Sequence, residues 1–177
     1  MLGQHKDLME DLIAQLPKHH YFNQNWHYSL TNWLPFYWKG FQQTTYYTYA
    51  FDDLSNNKLL WNNLQNNIRT DIRKAQKLNL TVCTDLSIEA FIELNKMTYE
   101  RQNMVVAYSA NILKNLLNIA ISRNQCQWFI AQGEKGNNHA GVLIVWDENS
   151  AYYLMGGGNP NLRNSGATSL CMWEAIK

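Results

Sequence analysis

The sequence predicts an α+β fold with a mixed, largely antiparallel sheet flanked by helices, and three observations carry that prediction. Residues 58–77 repeat apolar side chains at helical spacing, with Trp61, Leu64, Ile68, Ile72 and Ala75 making one stripe. Three apolar runs, Cys126–Gln132, Ala140–Trp146 and Ala151–Met155, read as strands joined by links too short for a crossover, which favours an antiparallel meander. Two further helical patterns stand together ahead of that meander. Helices grouped in this way argue for α+β rather than a parallel, alternating sheet.

Taken in order, residues 4–16 read as a short amphipathic helix with Leu8, Leu12 and Leu16 on one face and Pro17 as its stop. Residues 18–43 are rich in His, Asn, Trp and Phe, and Pro35-Phe-Tyr-Trp-Lys-Gly40 looks like a turn leading into a sheet. Thr44 to Phe51 is β-branched or aromatic except at Ala50, a strand pattern with Thr45, Tyr47, Tyr49 and Phe51 on one face. Asp52-Asp-Leu-Ser turns the chain into the helix of residues 58–77. Leu80 to Thr84 is a short strand. Asp85 or Ser87 caps a helix to about Arg101, and Ser109 caps another to about Arg123, with Leu113, Leu116, Leu117, Ala120 and Ile121 inward. The meander follows, and a last helix begins near Ser165.

Composition narrows the function. The 177 residues are 46% hydrophobic and 16% charged, which is enough for a globular core. A net charge of +1 gives no global field to draw the chain onto nucleic acid or an acidic membrane, so such a partner needs a local patch. Three scattered cysteines, Cys83, Cys126 and Cys171, form no Cys-x-x-Cys or Cys/His spacing, which argues against a disulfide framework and predicts no metal site. No apolar run is long enough to span a bilayer, and the first residues lack a basic-then-apolar leader, so the expected setting is cytoplasmic.

The most informative stretch runs from Tyr152 through Met155-Gly-Gly-Gly-Asn-Pro-Asn-Leu-Arg163-Asn-Ser-Gly166-Ala-Thr168 into the last helix. A helix N-terminus presents unpaired amides and the positive end of the helix dipole. A glycine there allows a phosphate close to the backbone. An ordinary strand-to-helix turn is the plain alternative.

The same elements resemble a known family. Pro35-Phe-Tyr-Trp-Lys-Gly40, Thr48-Tyr-Ala-Phe-Asp, Asn67-Ile-Arg-Thr-Asp-Ile-Arg-Lys-Ala-Gln-Lys77 with Leu80-Thr-Val, Phe91-Ile-Glu-Leu with Thr98, Ala140-Gly-Val-Leu, Ala151-Tyr-Tyr-Leu-Met-Gly-Gly and Gly166-Ala occur in an order that resembles the GNAT acyltransferase superfamily. Within it, the chain looks like the Fem-type and related acetyltransferase-like branch, whose members often carry two tandem units. The resemblance covers residues 35–177. It implies residues 54–177 as a GNAT-like unit lacking its C-terminal part, and 1–53 as the tail of a preceding unit. A fragment, and a chain completing its sheet through a partner or a homo-oligomer, are the alternatives.

The resemblance implies acyl transfer to an amine. Donors are acetyl-CoA or another acyl-CoA, or aminoacyl-tRNA as in the Fem-type branch, where the acceptor is a cell-wall precursor. In the family the Arg/Gln-x-x-Gly-x-Gly/Ala loop holds the donor pyrophosphate, which places that role on Arg163, Asn164, Ser165, Gly166, Ala167 and Thr168. Arg163 and Gly166 match, while Thr168 departs from the small final residue. A backbone N–H within Ala151–Met155 would polarise the carbonyl. Glu100 and Tyr153 are the candidate catalytic groups, with a solvated helix end and a packed aromatic as their plain readings. Arg69, Arg73 and Lys77, with Lys74 beside them, form a basic helix stripe that suits phosphate or an RNA backbone, or simply water. The five histidines read as surface or packing residues. The alternative to a transferase is a non-catalytic, incomplete GNAT-like binding or assembly module.

Overall fold

The computed structural model describes residues 2–106 and 108–177. The chain forms two units, residues 1–50 and 51–177.

The first unit contains α1 (Leu2–Ala14) and the short α2 (Leu34–Trp38). Pro35 opens α2 at a position where its missing N–H costs nothing, and its ring is buried. Aromatic side chains supply most of the packing, with Trp26 against Phe36 at 4.9 Å between ring centroids and Phe36 against Phe41 at 5.2 Å. The expected helix over residues 4–16 forms as α1, with Leu8 and Leu12 of its stripe exposed. Two expectations fail between residues 35 and 51. Residues 35–40 make a helical turn rather than a turn into a sheet. Thr44 to Phe51 forms no strand: the segment carries no ladder, and Tyr47 and Tyr49 are fully exposed. β propensity expresses a fit to a half-buried, paired surface, and no strand among the described residues pairs with this one.

The second unit is a four-stranded antiparallel sheet in the order β1 (Thr81–Cys83), β2 (Cys126–Gln132), β3 (Asn138–Trp146), β4 (Ala151–Gly158). The predicted helix over residues 58–77 is two helices, α3 (Asn57–Asn63) and α4 (Asn66–Lys77). Leu64 and Gln65 between them are extended, with ψ of 142° and 148°. The break falls between the pairs Asn62-Asn63 and Asn66-Asn67, whose side chains compete with helical hydrogen bonds. Arg69 closes the break by donating from Nη1 to the Asn62 carbonyl at 3.0 Å and from Nη2 to Asn66 Oδ1.

Helices α5 (Ile88–Arg101) and α6 (Ala110–Ser122) follow β1. The Ser87 hydroxyl caps α5 by accepting from the Ala90 amide, whereas Ser109 precedes α6 without a side-chain cap bond. On α6 only Leu113 and Leu117 are buried, and Leu116 and Ile121 are exposed, against expectation. This helix meets the sheet at β2, the second strand in, so a narrow i, i+4 line suffices to cover it. After β4 comes a 3₁₀ turn at Pro160–Ser165, then α7 (Ala167–Ile176). The start near Ser165 was anticipated; the 3₁₀ turn was not.

Each face of the sheet has its own core. Ile72 and Ala75 of α4 and Leu170 and Cys171 of α7 pack with Ala131 and Val142. Phe91 and Leu94 of α5 and Leu113 and Leu117 of α6 pack with Ile130 and Leu143. Val142 and Leu143 are adjacent and serve opposite cores, as strand alternation requires. Among the described residues no helix is long and apolar enough to cross a membrane.

Candidate functional site

β4 positions the site, and a bulge in it decides which side chains meet. Across from β3, Met155 pairs with Leu143 and Tyr153 with Ile144, so Leu154 is an extra residue without a register partner. Directly opposed residues in an antiparallel pair share a face. Met155 therefore points with Leu143 toward α5 and α6, while Tyr153 points with Ile144 toward the α7 side. Gly156 pairs with Val142 and so lies on that same side as Tyr153. Without the extra residue, positions three apart would fall on opposite faces. With it, the Tyr153 hydroxyl sits over Gly156, where any Cβ would collide with it.

The opposite side of β4 rests on α5. A Cβ on Gly157 would run into backbone atoms of Leu94 and Asn95, so strand and helix touch main chain to main chain. Asn95, 3% exposed, donates from Nδ2 to the Gly156 carbonyl at 2.7 Å and accepts at Oδ1 from the Tyr108 hydroxyl. One turn on, Thr98 Oγ1 accepts from the Gly158 amide at 3.0 Å and donates to the Leu94 carbonyl at 3.3 Å.

Past Gly158 the chain turns into α7 and a cleft of about 340 Å³ opens. Its floor is Gly156 to Asn159 with Tyr153. One wall is Thr98 and Arg101 of α5; the other is Arg163, Ser165, Ala167 and Thr168. His139 and Ala140 of β3 complete it, together with Leu162. Among the described residues no carboxylate lines it. Two of its polar atoms are buried with no hydrogen-bond partner, Ser165 Oγ and His139 Nδ1. Ser165 is only 6% exposed. The Asn137 amide nitrogen lies 2.9 Å from His139 Nε2, which leaves the ring proton on the buried Nδ1 when the amide donates. Burial lowers the His139 pKa and holds the ring neutral. Burial raises that of Tyr153, which stays a phenol at neutral pH.

α7 begins at this cleft without a side-chain cap, and its first amides face no partner in the helix. Gly166 precedes it in the left-handed region, φ 76° and ψ 10°. A Cβ there would strike the Asp71 carbonyl of α4. Close packing of α4 on this turn is thus reason enough for the glycine.

The structure therefore brings Tyr153, Arg163, Ser165, Ala167 and Thr168 to one cleft; Asn164 and Gly166 are on the same turn but do not line it. Glu100 lies outside, exposed and paired with Lys96 at 3.5 Å. The basic stripe is elsewhere too. Arg69 bridges α3 and α4, and Arg73 stacks 5.7 Å above the Trp61 ring, itself 5.1 Å from Trp173. Lys74 and Lys77 lie in the last turn of α4, where cations complement the helix dipole. Among the described residues no group of His, Cys, Asp or Glu could hold a metal ion. Sequence reasoning missed Arg101, His139 and the pair Asn95 and Tyr108. A polar Asn95 three residues before Thr98, on the side of α5 that carries Phe91 and Leu94, was the one visible sign.

A family model described as an acetyltransferase (GNAT) domain matches residues 62–177, more than half of the chain. The crystal structure of FemX aligns with a TM-score of 0.62 at 15% sequence identity, covering 70% of this chain and 47% of that one. That likeness is one of fold, and this chain spans about half the length of that relative. A search of curated proteins found no significant match. The chain belongs to the GNAT acetyltransferase-domain family, the expected superfamily.

Proposed function

We propose that residues 51–177 carry an N-acyltransferase site, which takes an acyl or aminoacyl group from a phosphate-bearing donor and passes it to an amine. The observation that supports this most is the chemistry of the cleft. Its lining offers two guanidinium groups, a neutral imidazole and a buried hydroxyl without a partner, beside the uncapped start of α7, and no carboxylate. Buried donors without acceptors are costly, so such a lining calls for a ligand rich in acceptor oxygens. A pyrophosphate or phosphodiester supplies them, from acyl-CoA or from the end of an aminoacyl-tRNA. Arg163, with Ser165 and the amides of Ala167 and Thr168, would hold it.

In the transfer, the amine nitrogen bonds to the donor carbonyl carbon and the C–S bond of a thioester, or the C–O bond of an ester, breaks. The leaving sulfur or oxygen takes the phenol proton of Tyr153, and the acylated ammonium releases its proton to water, which restores the phenol. Tyr153 is protonated at neutral pH and so has a proton to give, while the burial that raises its pKa makes that proton harder to release until a leaving group approaches it. The bulge at Leu154 leaves backbone next to Tyr153 out of register with β3, the place on β4 suited to polarise the carbonyl.

Calorimetric titration with acetyl-CoA and with free CoA tests the reading. Saturable binding is expected, weakened at least tenfold by Arg163→Glu. Ser165→Ala should weaken it about three- to tenfold, one hydrogen bond's worth, without loss of stability, because the hydroxyl has no partner to lose in the free protein. A folded protein that binds neither would remove acyl-CoA as donor. Binding of aminoacyl-tRNA that falls steeply with salt would then keep the transferase reading, and its absence would end it.

A further inference from the structure

We propose that Asn95 is the positioning residue of this site, acting from α5 through β4 to hold the Tyr153 hydroxyl in place. Its role in transfer rests on the acyltransferase reading, but the device itself is geometric.

Asn95 and Ser165 are the buried polar residues of the unit, and they differ in kind. Ser165 is unsatisfied, whereas the Asn95 amide is engaged at both ends. Tyr108 sets its orientation: a phenol donating to Oδ1 forces the NH₂ group toward Gly156. An amide buried at 3% exposure carries a desolvation cost that a leucine in the same place would not. What it secures is one carbonyl, that of Gly156. That residue also forms the notch occupied by the Tyr153 hydroxyl on the other face. Gly157 is pressed against α5 and the Gly158 amide is held by Thr98, so Asn95 is the first of three successive anchors. It is the anchor nearest Tyr153. Releasing the Gly156 carbonyl frees the strand to rotate between the bulge and Gly157, and the notch moves with it. The Tyr153 hydroxyl then loses its seat against Gly156 and becomes more fully hydrated.

The Tyr153 phenol reports this: the residue is 53% exposed overall, but its hydroxyl lies against Gly156, and the partial desolvation there raises its pKa. The other titratable or charged groups lining its cleft are Arg101 on α5, His139 on β3 and Arg163 before α7. None of these is altered by changing Asn95. Protein labelled with ¹³C at the tyrosine Cζ is titrated by NMR, with Tyr153→Phe identifying the resonance. In the wild type Tyr153 should titrate above the ordinary value of 10.0. In Asn95→Leu it should fall back toward that value, and in Thr98→Val, which releases the Gly158 amide and the Leu94 carbonyl but not the Gly156 carbonyl, it should stay. If Asn95→Leu does not fold, Tyr108→Phe makes the test, since it removes one oxygen and leaves the packing. It should move Tyr153 in the same direction. A folded Asn95→Leu, or failing that a Tyr108→Phe, whose Tyr153 titration matches the wild type overturns the proposal. An equal shift in Thr98→Val does so as well, by reducing Asn95 to general support of the seam. Failure of the transferase reading would show separately, as wild-type protein that binds no donor while these titrations still differ.

Discussion

Substituting Gly157 by alanine tests the contact on which the site is built. The new Cβ would fall on backbone atoms of Leu94 and Asn95, which no rotamer change can move aside. Overpacking by one carbon in a filled interior costs about 1–3 kcal/mol. Here relief requires α5 to withdraw, which stretches the bonds from Asn95 to the Gly156 carbonyl and from the Gly158 amide to Thr98, at 2.7 Å and 3.0 Å. Each adds about 1 kcal/mol. The total is about 3–5 kcal/mol, a large part of a typical domain's stability. Gly158→Ala is the internal control. Its Cβ would meet the His139 carbonyl oxygen at 3.6 Å and the Ala140 Cβ at 3.8 Å, ordinary contacts. Alanine there should change stability by less than about 1 kcal/mol, since the loss of unfolded-state freedom offsets small strain. Urea unfolding of the three proteins, followed by tryptophan fluorescence and far-ultraviolet circular dichroism, gives the comparison. If the two variants differ by less than about 1 kcal/mol, the strand does not rest on the α5 backbone and the reasoning about β4 fails.

Two other outcomes follow from the α4–α7 side. Burial pushes the Cys171 thiol up to about 12 from 9.0, so its protonated form favours the fold. That contribution is whole below pH 9 and is lost as pH rises toward 12. The urea midpoint should drop across that window, and Cys171→Ala should lessen the drop; identical slopes in the two proteins would count against it. Arg73→Ala should cost about 0.5–1 kcal/mol through the lost stacking on Trp61 and leave acetyl-CoA affinity within twofold. A tenfold loss of affinity at unchanged stability would instead place ligand on the basic stripe.

Much of the second unit was legible because its signals were local. The apolar runs at Cys126–Gln132 and Ala140–Trp146 and the short links around β3 point to a meander without tertiary information. The apolar stripe of residues 61–75 survived even where the helix did not, since Leu64 continues to pack after leaving helical geometry. The asparagine pairs that break the helix were visible, but their effect depends on Arg69 being free to cap the break. Thr44 to Phe51 failed for the converse reason: pattern reports what a segment can pair with, not whether a partner is beside it. The Arg163–Thr168 loop could be read as one candidate because it is contiguous, and four of its residues line the cleft. Arg101, His139 and Asn95 come from three separate elements, and only the fold brings them near one another.

The bulge at Leu154 explains why these parts form one site rather than two. β4 offers α5 a bare backbone and offers the cleft the Tyr153 hydroxyl. Strict alternation assigns those duties to residues of opposite parity. Gly157 meets the first requirement on the α5 face. A regular strand would then turn Tyr153, four residues earlier, toward α5 as well, where a phenol would have to displace the apolar core around Leu94 and Leu143. One inserted residue reverses the parity upstream and leaves Gly157 where it is. Tyr153 moves to the cleft face, and Gly156 between them becomes both its notch and the carbonyl that Asn95 holds. The run of three glycines and the bulge are thus parts of one solution. The glycines admit the helix and the hydroxyl, and the bulge decides which face receives each.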